Sequence, residues 1–371
     1  MQNNHKCVIL MPSLVNKSNM KSYIYALKFL FPTIFIDIGS KVCKFCINTK
    51  RALSNYFEEY AIIIDNNSKN DKSIFGNNAK KIIGRTSDKL KIMYPFKNGT
   101  IYDFESAKKF FSYIYKREFR DSIINLRFLK PIPIVSIPHN TSEVELNALE
   151  DSFVLSGFKN PIFIEQSSAL FYGVYQNYPK QTIMIIDWGS HLYKIYLLNE
   201  GNLIKFNEIK LGSDELDFAI QKYMQNKYNL IITLENAEIL KKEMLDLNNS
   251  NKETFYSIVG RDYTTFLPRT IKISSIELQE ATENIISKIT QHLSNFLETI
   301  TPEIFFDLHK NGIYLSGGGS KIKGIDKYFS KAFKLNFIKL ENDMTIIKGL
   351  INIYKDYSLL KTYSIQDFIL R

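Results

Sequence analysis

The sequence predicts an α/β protein of two related lobes around a shared cleft, and three stretches carry this prediction. The stretch IMIIDWGSHLYKIYLL (183–198) reads as a β-hairpin with Asp187 at the end of its first strand. The stretch TIFIDIGSKVCKFCI (33–47) has the same form, and its Asp37 lies 187 − 37 = 150 positions earlier. The third stretch, NGIYLSGGGSKIKGI (311–325), is a buried strand that enters three glycines before a helix start. An acid-tipped hairpin repeated at this interval indicates two lobes, each with one carboxylate at the cleft.

Each acid is followed by a turn of small residues, and such turns have a chemical use. Their backbone N–H groups are free to hold phosphate oxygens, and a neighbouring carboxylate can hold a hydrated magnesium ion through its waters. Three glycines after a strand let the backbone approach a ligand closely, and the N-terminus of the next helix favours an anion. The alternative for either hairpin alone is an ordinary turn capped by its acid. The candidates are Asp37 and Asp187 for the hydrated metal, and Gly39, Ser40, Gly189, Ser190, Gly317, Gly318 and Gly319 for a polyphosphate ligand.

Length and composition bound the possibilities. The 371 residues are enough for two substantial domains with a large core, and 45% of them are hydrophobic. No run of about 18 apolar residues occurs, so we expect no membrane span. The formal net charge of +10 suits an anionic partner such as nucleotide or lipid headgroups, but the lysines are spread along the chain, so nucleic acid is not expected. Three cysteines indicate a reducing compartment, and Cys43 and Cys46 belong to opposite faces of one strand, which argues against a redox or metal pair.

Two helical segments are expected early in the chain. Residues 21–31 (KSYIYALKFLF) are aromatic and aliphatic with two lysines, too short to span a bilayer but suited to lie on its surface. The alternative for this segment is an extra helix packed on the first lobe. A second helix is expected to begin near Glu105 and to bury one face, which consists of Phe110, Phe111 and Ile114.

Several stretches are similar to those of a known family. GNNAKKIIGRTSDKLKIMYPFKNGTIYDF (76–104) resembles a segment of the bacterial actin MreB, in which G-x-x-A-K-x-x-x-G-[RK]-T leads to R-P-[ML]-[KR]-[DN]-G-V-I-A-D-[FY]. LGSDELDFAI (211–220) is similar to the family's G-G-D-E-[ML]-D-x-A-I, and NAEILKKEML (236–245) to its T-A-E-x-[IV]-K-x-E-I-G. The two hairpins and the triple glycine, in that order, resemble the phosphate 1, phosphate 2 and adenosine motifs of the actin, sugar-kinase and heat-shock-chaperone ATPases. The resemblance covers about residues 33–352.

This resemblance implies an actin-like fold, in which two ribonuclease-H-like lobes, each with an inserted subdomain, enclose a nucleotide cleft. The implied ligands are ATP or ADP with Mg²⁺. The expected bounds are 1–32 for an N-terminal extension, 33–180 for domain I with its subdomain at about 50–88 and its completion at 340–371, and 181–339 for domain II with its subdomain at about 215–272.

The resemblance also assigns roles to residues outside the turns. Glu145, in PHNTSEVELNALED (138–151), takes the place of the family's glutamate that positions the water attacking the γ-phosphate. The residues alone support an alternative for Glu145, an exposed acid in the first turn of a helix whose N-cap is Ser142. Lys44 stands where conventional actins place a phosphate-binding lysine, with a solvent-facing strand residue as the alternative. Four further residues are assigned to the nucleotide site: Gly212, Asp214, Glu238 and Lys241. The spacing of three puts Glu238 and Lys241 on one face of a helix, which suits binding to the ribose or the base. The alternative for these two residues is a charged face exposed to solvent.

The second hairpin departs from the family pattern. The family has D-I-G-G-G-T-T-E where this chain has DWGSHLYK, so Lys194 stands where an acid is expected and either pairs with phosphate or closes the site to magnesium. IFIEQSSALFYG (162–173) is similar to I-E-E-P-x-A-A-A-x-G, but Gln166 and Ser167 replace Glu and Pro. Ser and His in place of two glycines restrict positive φ and close backbone approach. Because hydrolysis needs an aligned water, we expect nucleotide binding with weak or absent hydrolysis.

The function implied by the resemblance is that of a cytoskeletal filament protein that binds adenine nucleotide and takes part in cell shape or morphogenesis. Its expected partners are further copies in protofilaments, other MreB-type subunits, and the anionic cytoplasmic face of the cell membrane, reached through residues 21–31 and 126–129. The alternative for 126–129 is buried packing. Two other functions stay open: a non-hydrolysing homologue that copolymerises with or regulates an active MreB, and a small-molecule kinase of the same superfamily.

Overall fold

Two five-stranded sheets form the centre of the protein. The computed structural model describes residues 31–49, 52–66, 73–83, 90–120, 130–174, 182–248, 253–340 and 343–365. The strands, in chain order, are β1 (Thr33–Asp37), β2 (Val42–Thr49), β3 (Ala52–Tyr60), β4 (Ile63–Asn66), β5 (Ile74–Phe75), β6 (Leu90–Met93), β7 (Phe96–Lys97), β8 (Thr100–Ile101), β9 (Ile132–Ile137), β10 (Ile162–Glu165), β11 (Thr182–Trp188), β12 (Tyr193–Asn199), β13 (Asn202–Ile209), β14 (Leu230–Ile231), β15 (Phe255–Asp262), β16 (Pro268–Ser274), β17 (Ile313–Ser316) and β18 (Phe337–Lys339).

Helices cover the sheets and connect their strands. They are α1 (Gly76–Ile82), α2 (Phe104–Tyr115), α3 (Glu143–Leu155), α4 (Gln166–Val174), α5 (Asp214–Tyr228), α6 (Leu234–Met244), α7 (Ser275–Leu297), α8 (Pro302–Asn311), α9 (Ile325–Phe333), α10 (Thr345–Lys355) and α11 (Tyr357–Tyr363). A π-helical turn, Lys116–Arg120, follows α2, and a 3-10 turn, Gly318–Lys321, follows β17.

The two large sheets share one topology. In the first, β1, β2 and β3 form an antiparallel meander, and β9 and β10 continue the sheet in parallel on the other side of β1. In the second, β11, β12 and β13 form the meander, and β17 and β18 continue it in parallel beside β11. The repeated order confirms the prediction of two related lobes, each opened by an acid-tipped hairpin.

The central strands are buried on both faces, which is why they read as continuous apolar runs. All residues of β1 and of β11 are buried. In β2, Cys43 packs into the core cluster on one face of the first sheet, and Cys46 packs into a different cluster on the other. The prediction that the two cysteines lie on opposite faces is therefore confirmed.

Helices α4 and α10 fill the space between the two sheets. One core cluster contains Phe35 of the first sheet, Ile185 of the second and the apolar faces of both helices. The helices touch backbone to backbone: a Cβ on Gly349 would lie 1.7 Å from the carbonyl oxygen of Ala169, and one on Gly173 would lie 2.1 Å from that of Thr345. Small residues at this crossing therefore hold the base of the two lobes together.

Predicted helix starts agree closely with the structure. Helix α2 begins at Phe104, one residue before the predicted start, because the Asp103 carboxylate accepts from the Ser106 N–H at 3.0 Å as an N-cap. Its predicted core face is buried as expected: Phe110, Phe111 and Ile114. After the triple glycine the chain first forms the 3-10 turn, and α9 begins only at Ile325.

In the described residues, three smaller sheets accompany the large ones, with strand orders β5-β4-β6, β14-β15-β16 and β7-β8. The domain and subdomain bounds given above stay a prediction. Of the two segments expected at a membrane, 126–129 lies outside the described residues, and of 21–31 only Phe31 is described, with its ring centroid 3.6 Å from Lys159 Nζ. Among the helices in the described ranges, none combines the length and the apolar character that crossing a bilayer requires.

Candidate functional site

A cavity of about 600 Å³ lies between the facing hairpins of the two sheets. Most of the predicted site residues line it: Asp37, Gly39, Ser40, Lys44, Asp187, Gly189, Ser190, Glu238, Lys241, Gly317, Gly318 and Gly319. Three predicted residues, Glu145, Gly212 and Asp214, do not contribute to this lining. The structure thus brings together the three glycine-containing turns that the sequence places far apart.

Asp37 is buried at the end of β1, and the two neighbouring strands supply its partners. On the parallel side, Ser136 of β9 lies opposite it in register and donates its hydroxyl to Asp37 Oδ1 at 3.0 Å. On the antiparallel side, Lys44 of β2 lies opposite it, with Nζ 3.8 Å from Asp37 Oδ2. A hydroxyl and an ammonium group therefore compensate for burying this carboxylate.

Asp187 has the same arrangement in the second sheet. Ser316 of β17 lies opposite it on the parallel side and hydrogen-bonds its carboxylate, and Lys194 of β12 lies opposite it on the antiparallel side. Burial raises the pKa of the Asp187 carboxyl, and the positive charge of Lys194 opposes this shift. The acid, serine and lysine thus occur twice, once in each lobe, at equivalent positions.

Both lysines belong to the cavity wall. The Lys44 side chain is only 17% exposed, so the solvent-facing alternative for it is wrong. Burial by itself lowers the pKa of Lys44, but the negative charge of Asp37 and of other acids around the cavity outweighs it, and the pKa is raised. Lys194 is buried and donates from Nζ to the Gln166 side-chain oxygen at 2.9 Å. Both side chains therefore carry a weakly screened positive charge at the cavity.

The second hairpin turn is held from behind by the start of α5. The Gly189 and Ser190 carbonyls accept from the backbone N–H groups of Ser213 and Asp214 at 2.9 and 3.0 Å. A Cβ on Gly212 would lie 2.0 Å from the Ser190 carbonyl oxygen, so only glycine allows this approach. Gly212 and Asp214 therefore support the turn instead of lining the cavity.

The triple glycine packs against the end of β11. Gly317 has φ +83°, a conformation that favours glycine, and a Cβ on Gly319 would lie 2.3 Å from the Trp188 ring. A Cβ on Gly318 would meet no described atom within 4 Å. Gly318 therefore presents bare backbone to the cavity, while its neighbours are fixed by contact with β11.

An ion-pair network bridges the two lobes at the edge of the cavity. Lys41, in the first hairpin turn, lies 2.7 Å from Asp214 Oδ1 and 3.7 Å from Glu238 Oε2. Burial by itself raises the pKa of Glu238, but its bond to Lys242 and the charge of Lys41 outweigh it and lower the pKa to about 2. Lys241 is buried with Nζ 2.7 Å from Asp217 Oδ1. Glu238 and Lys241 are thus engaged with protein groups and are not a solvated charged face.

With this geometry in view, similarity to known proteins identifies the family. A family model described as MreB/Mbl protein matches residues 33–362. The chain belongs to the MreB/Mbl family. It is 26% identical to the cell shape-determining protein Mbl of Bacillus subtilis over 317 residues, which covers 85% of this chain and 92% of that protein.

Solved structures agree with this assignment. The crystal structure of MreB5 of Spiroplasma citri bound to ADP has a TM-score of 0.80 and 28% identity, over 90% of this chain and 98% of that one. A double-helical filament structure of MamK has a TM-score of 0.71 at 14% identity, over 88% of this chain and 99% of that one, and shows the fold alone. The fold is therefore actin-like, with two lobes around the cavity.

Glu145 does not reach the cavity of this MreB/Mbl chain. Its carboxylate accepts from the Ser142 backbone N–H at 2.9 Å and from the Ser142 hydroxyl at 2.7 Å, while Ser142 caps α3. The bond from the Ser142 backbone lowers the pKa of Glu145. The predicted cap is confirmed, and the catalytic role of Glu145 stays a prediction.

Among the residues of the site that were not singled out from the sequence, three bind a predicted residue across strands or lobes. Ser136 and Ser316 bind the two acids, and Lys41 bridges the lobes. A lone serine within an otherwise apolar buried strand was the available signal for Ser136. Lys41 offered none, because its partners lie more than 170 positions away in the chain.

A pair of adjacent glycine substitutions tests the packing of the triple-glycine turn. Gly319→Ala drives a Cβ into the Trp188 ring, so we expect it to lower the free energy of unfolding by about 1–3 kcal/mol. Gly318→Ala enters open space and, as the matched control, should leave it unchanged or raise it by up to about 1 kcal/mol. Urea denaturation followed by the fluorescence of Trp188, the single tryptophan, measures both. Equal loss in the two variants would contradict the described packing.

Proposed function

We propose that this chain is an adenine-nucleotide-binding subunit of an MreB-type filament with weak or absent ATP hydrolysis. The observation that carries the proposal is the convergence of both acid–serine–lysine strand ends and the bare backbone of Gly318 on one cavity of about 600 Å³. This volume lies within the range of about 300–1,000 Å³ that small-molecule sites occupy. The structure of Spiroplasma citri MreB5 bound to ADP, and that of the same protein bound to AMPPNP, support this ligand class.

The polyphosphate would lie between the two hairpins. Ser40 and Ser190 stand at the two turns, and Lys44 and Lys194 present positive charge from the strands behind them. The nucleoside would lie toward Gly318 and the helix that carries Glu238. The bare backbone of the turns and the buried cations together match a ligand that combines several negative charges with a flat base.

The hydrolysis part of the proposal rests on two features of the site. Glu145 lies outside the cavity and its carboxylate is already engaged by Ser142. Leu192 stands in the second turn where the family has a threonine, so the turn lacks that hydroxyl. Both features leave a water that attacks the γ-phosphate with fewer groups to align it, and alignment contributes strongly to rate.

Nucleotide binding is tested by calorimetry and by the fluorescence of Trp188, which contacts the triple-glycine turn. We expect ADP and ATP to bind the full-length chain and to raise its thermal unfolding temperature. Gly318→Val places a branched side chain in open space at the cavity, so it should weaken binding by about tenfold or more while the protein stays folded. The absence of heat, fluorescence change and thermal shift with both nucleotides would contradict the proposal.

Substitutions at two acids in the first turn of α3 distinguish a catalytic role of Glu145 from a structural one. If Glu145 positions water after the cleft closes, Glu145→Gln lowers phosphate release by about tenfold or more, whereas ADP affinity stays the same. Glu143→Gln, an exposed neighbour in the same turn, is the matched control and should change the rate less than about twofold. We expect the parent rate to lie below about 1 s⁻¹, the lower end of ordinary enzymes. Equal, measurable rates for the parent chain and Glu145→Gln would contradict a catalytic role of Glu145, and no phosphate release above background by the parent chain would favour the non-hydrolysing homologue.

Self-assembly and membrane attachment are the remaining parts of the proposal. Membership of the MreB/Mbl family supports filament formation, and the composition of residues 21–31 supports binding to an anionic bilayer. We expect the full chain to sediment with vesicles that contain phosphatidylglycerol and to form filaments visible by electron microscopy. Removal of residues 1–30 should strongly reduce sedimentation with vesicles, with any remainder due to residues 126–129, and leave nucleotide binding intact. Unchanged sedimentation after the removal would rule out this segment as the anchor.

A further inference from the structure

The two hairpins place a lysine directly opposite each buried acid. Asp37 pairs with Lys44 and Asp187 pairs with Lys194 in the strand registers, and all four side chains line the same cavity. Each acid also has a serine partner on its parallel neighbour. The two strand pairs therefore bring two negative and two positive groups to the cavity wall, and neither carboxylate is left without a nearby positive charge.

Lys194 and Gln166 together change the charge of this wall relative to the family. Both stand where the family patterns have glutamate, and in the structure they contact each other, since Lys194 Nζ donates to the Gln166 side-chain oxygen at 2.9 Å. The Tyr196 hydroxyl donates to the same oxygen at 3.1 Å. Glutamate to lysine adds two charges and glutamate to glutamine adds one, so the local charge is three units more positive.

These residues fit a divalent cation poorly and an anion well. A hydrated magnesium ion is attracted by free carboxylates, but here each carboxylate accepts from a serine and faces an ammonium group. Lys194 is 7% exposed and the Lys44 side chain 17%, so water and salt screen their charges weakly. An ammonium group in such a place forms short charge-assisted bonds to phosphate oxygens.

We infer that Lys44 and Lys194 supply the positive charge that a divalent cation would otherwise supply, so that the chain binds the polyphosphate of its nucleotide without magnesium. This inference rests on the proposed function. On this inference Asp37 and Asp187 would not hold a magnesium ion, and Lys194 would both pair with phosphate and close the site to magnesium. The ammonium groups bind and orient the phosphates and do not enter a bond-breaking step.

The test compares ADP and ATP affinity of the full-length chain in the presence of Mg²⁺ and in EDTA. We expect dissociation constants that agree within about threefold in the two conditions. Lys194→Gln should weaken binding in EDTA by about tenfold or more, because one charge-assisted contact is lost. Lys288→Gln, which removes an exposed lysine on α7, is the matched charge control and should have no effect.

A double variant reverses the proposed change. Gln166→Glu with Lys194→Glu restores both acids of the family pattern, so binding should disappear in EDTA and return with Mg²⁺. Binding by the unaltered chain with Mg²⁺ but not in EDTA overturns this inference and leaves the proposed function intact. Absence of binding in both conditions overturns the proposed function itself. The comparison on the unaltered chain needs no variant, so a folding defect in any variant does not leave the question open.

Discussion

Burying a carboxylate at the end of a central strand is the constraint on which the site depends. An unpaired ionised acid in a protein interior costs several kcal/mol, so each such acid needs partners that the fold itself supplies. Here the parallel neighbour contributes a serine and the antiparallel neighbour a lysine, in both lobes, as with Ser136 and Lys44 around Asp37. The same arrangement occurs in two sheets of equal topology, and in each sheet the acid lies at the end of the strand, just before the hairpin turn.

The cavity is bounded by contacts of two different strengths. At its base, the glycines at 173 and 349 let α4 and α10 touch backbone to backbone, which leaves little freedom for sliding. At its edge, the lobes are joined by Lys41, whose partially exposed ion pairs to Asp214 and Glu238 are individually weak. The lobes are therefore joined by close packing at the base and by ion pairs at the edge.

The sequence predicts the local parts of this architecture well. Both hairpins, the Ser142 cap and the opposite faces of Cys43 and Cys46 follow from patterns within about ten residues. The partners of each acid do not, because the register between β1 and β9 joins positions 99 apart and no short pattern encodes it. For the same reason the sequence placed Glu145 and Gly212 in the site by resemblance alone, whereas the structure gives them capping and supporting roles.

The residues that replace the family pattern in the second turn contribute packing to the site. Tyr193, which replaces a threonine of the family pattern, is buried and packs edge-on against Trp188, with ring centroids 5.8 Å apart. The Trp188 ring in turn packs against the backbone of Gly319, so the two rings connect the second hairpin to the triple-glycine turn. These contacts pack the second hairpin against the triple-glycine turn. At the two positions where the family pattern has threonine, the cavity receives no hydroxyl group, because Leu192 has none and the Tyr193 hydroxyl is buried outside the cavity lining. This supports the proposal of weak or absent hydrolysis, since no hydroxyl of this turn is available to align a water.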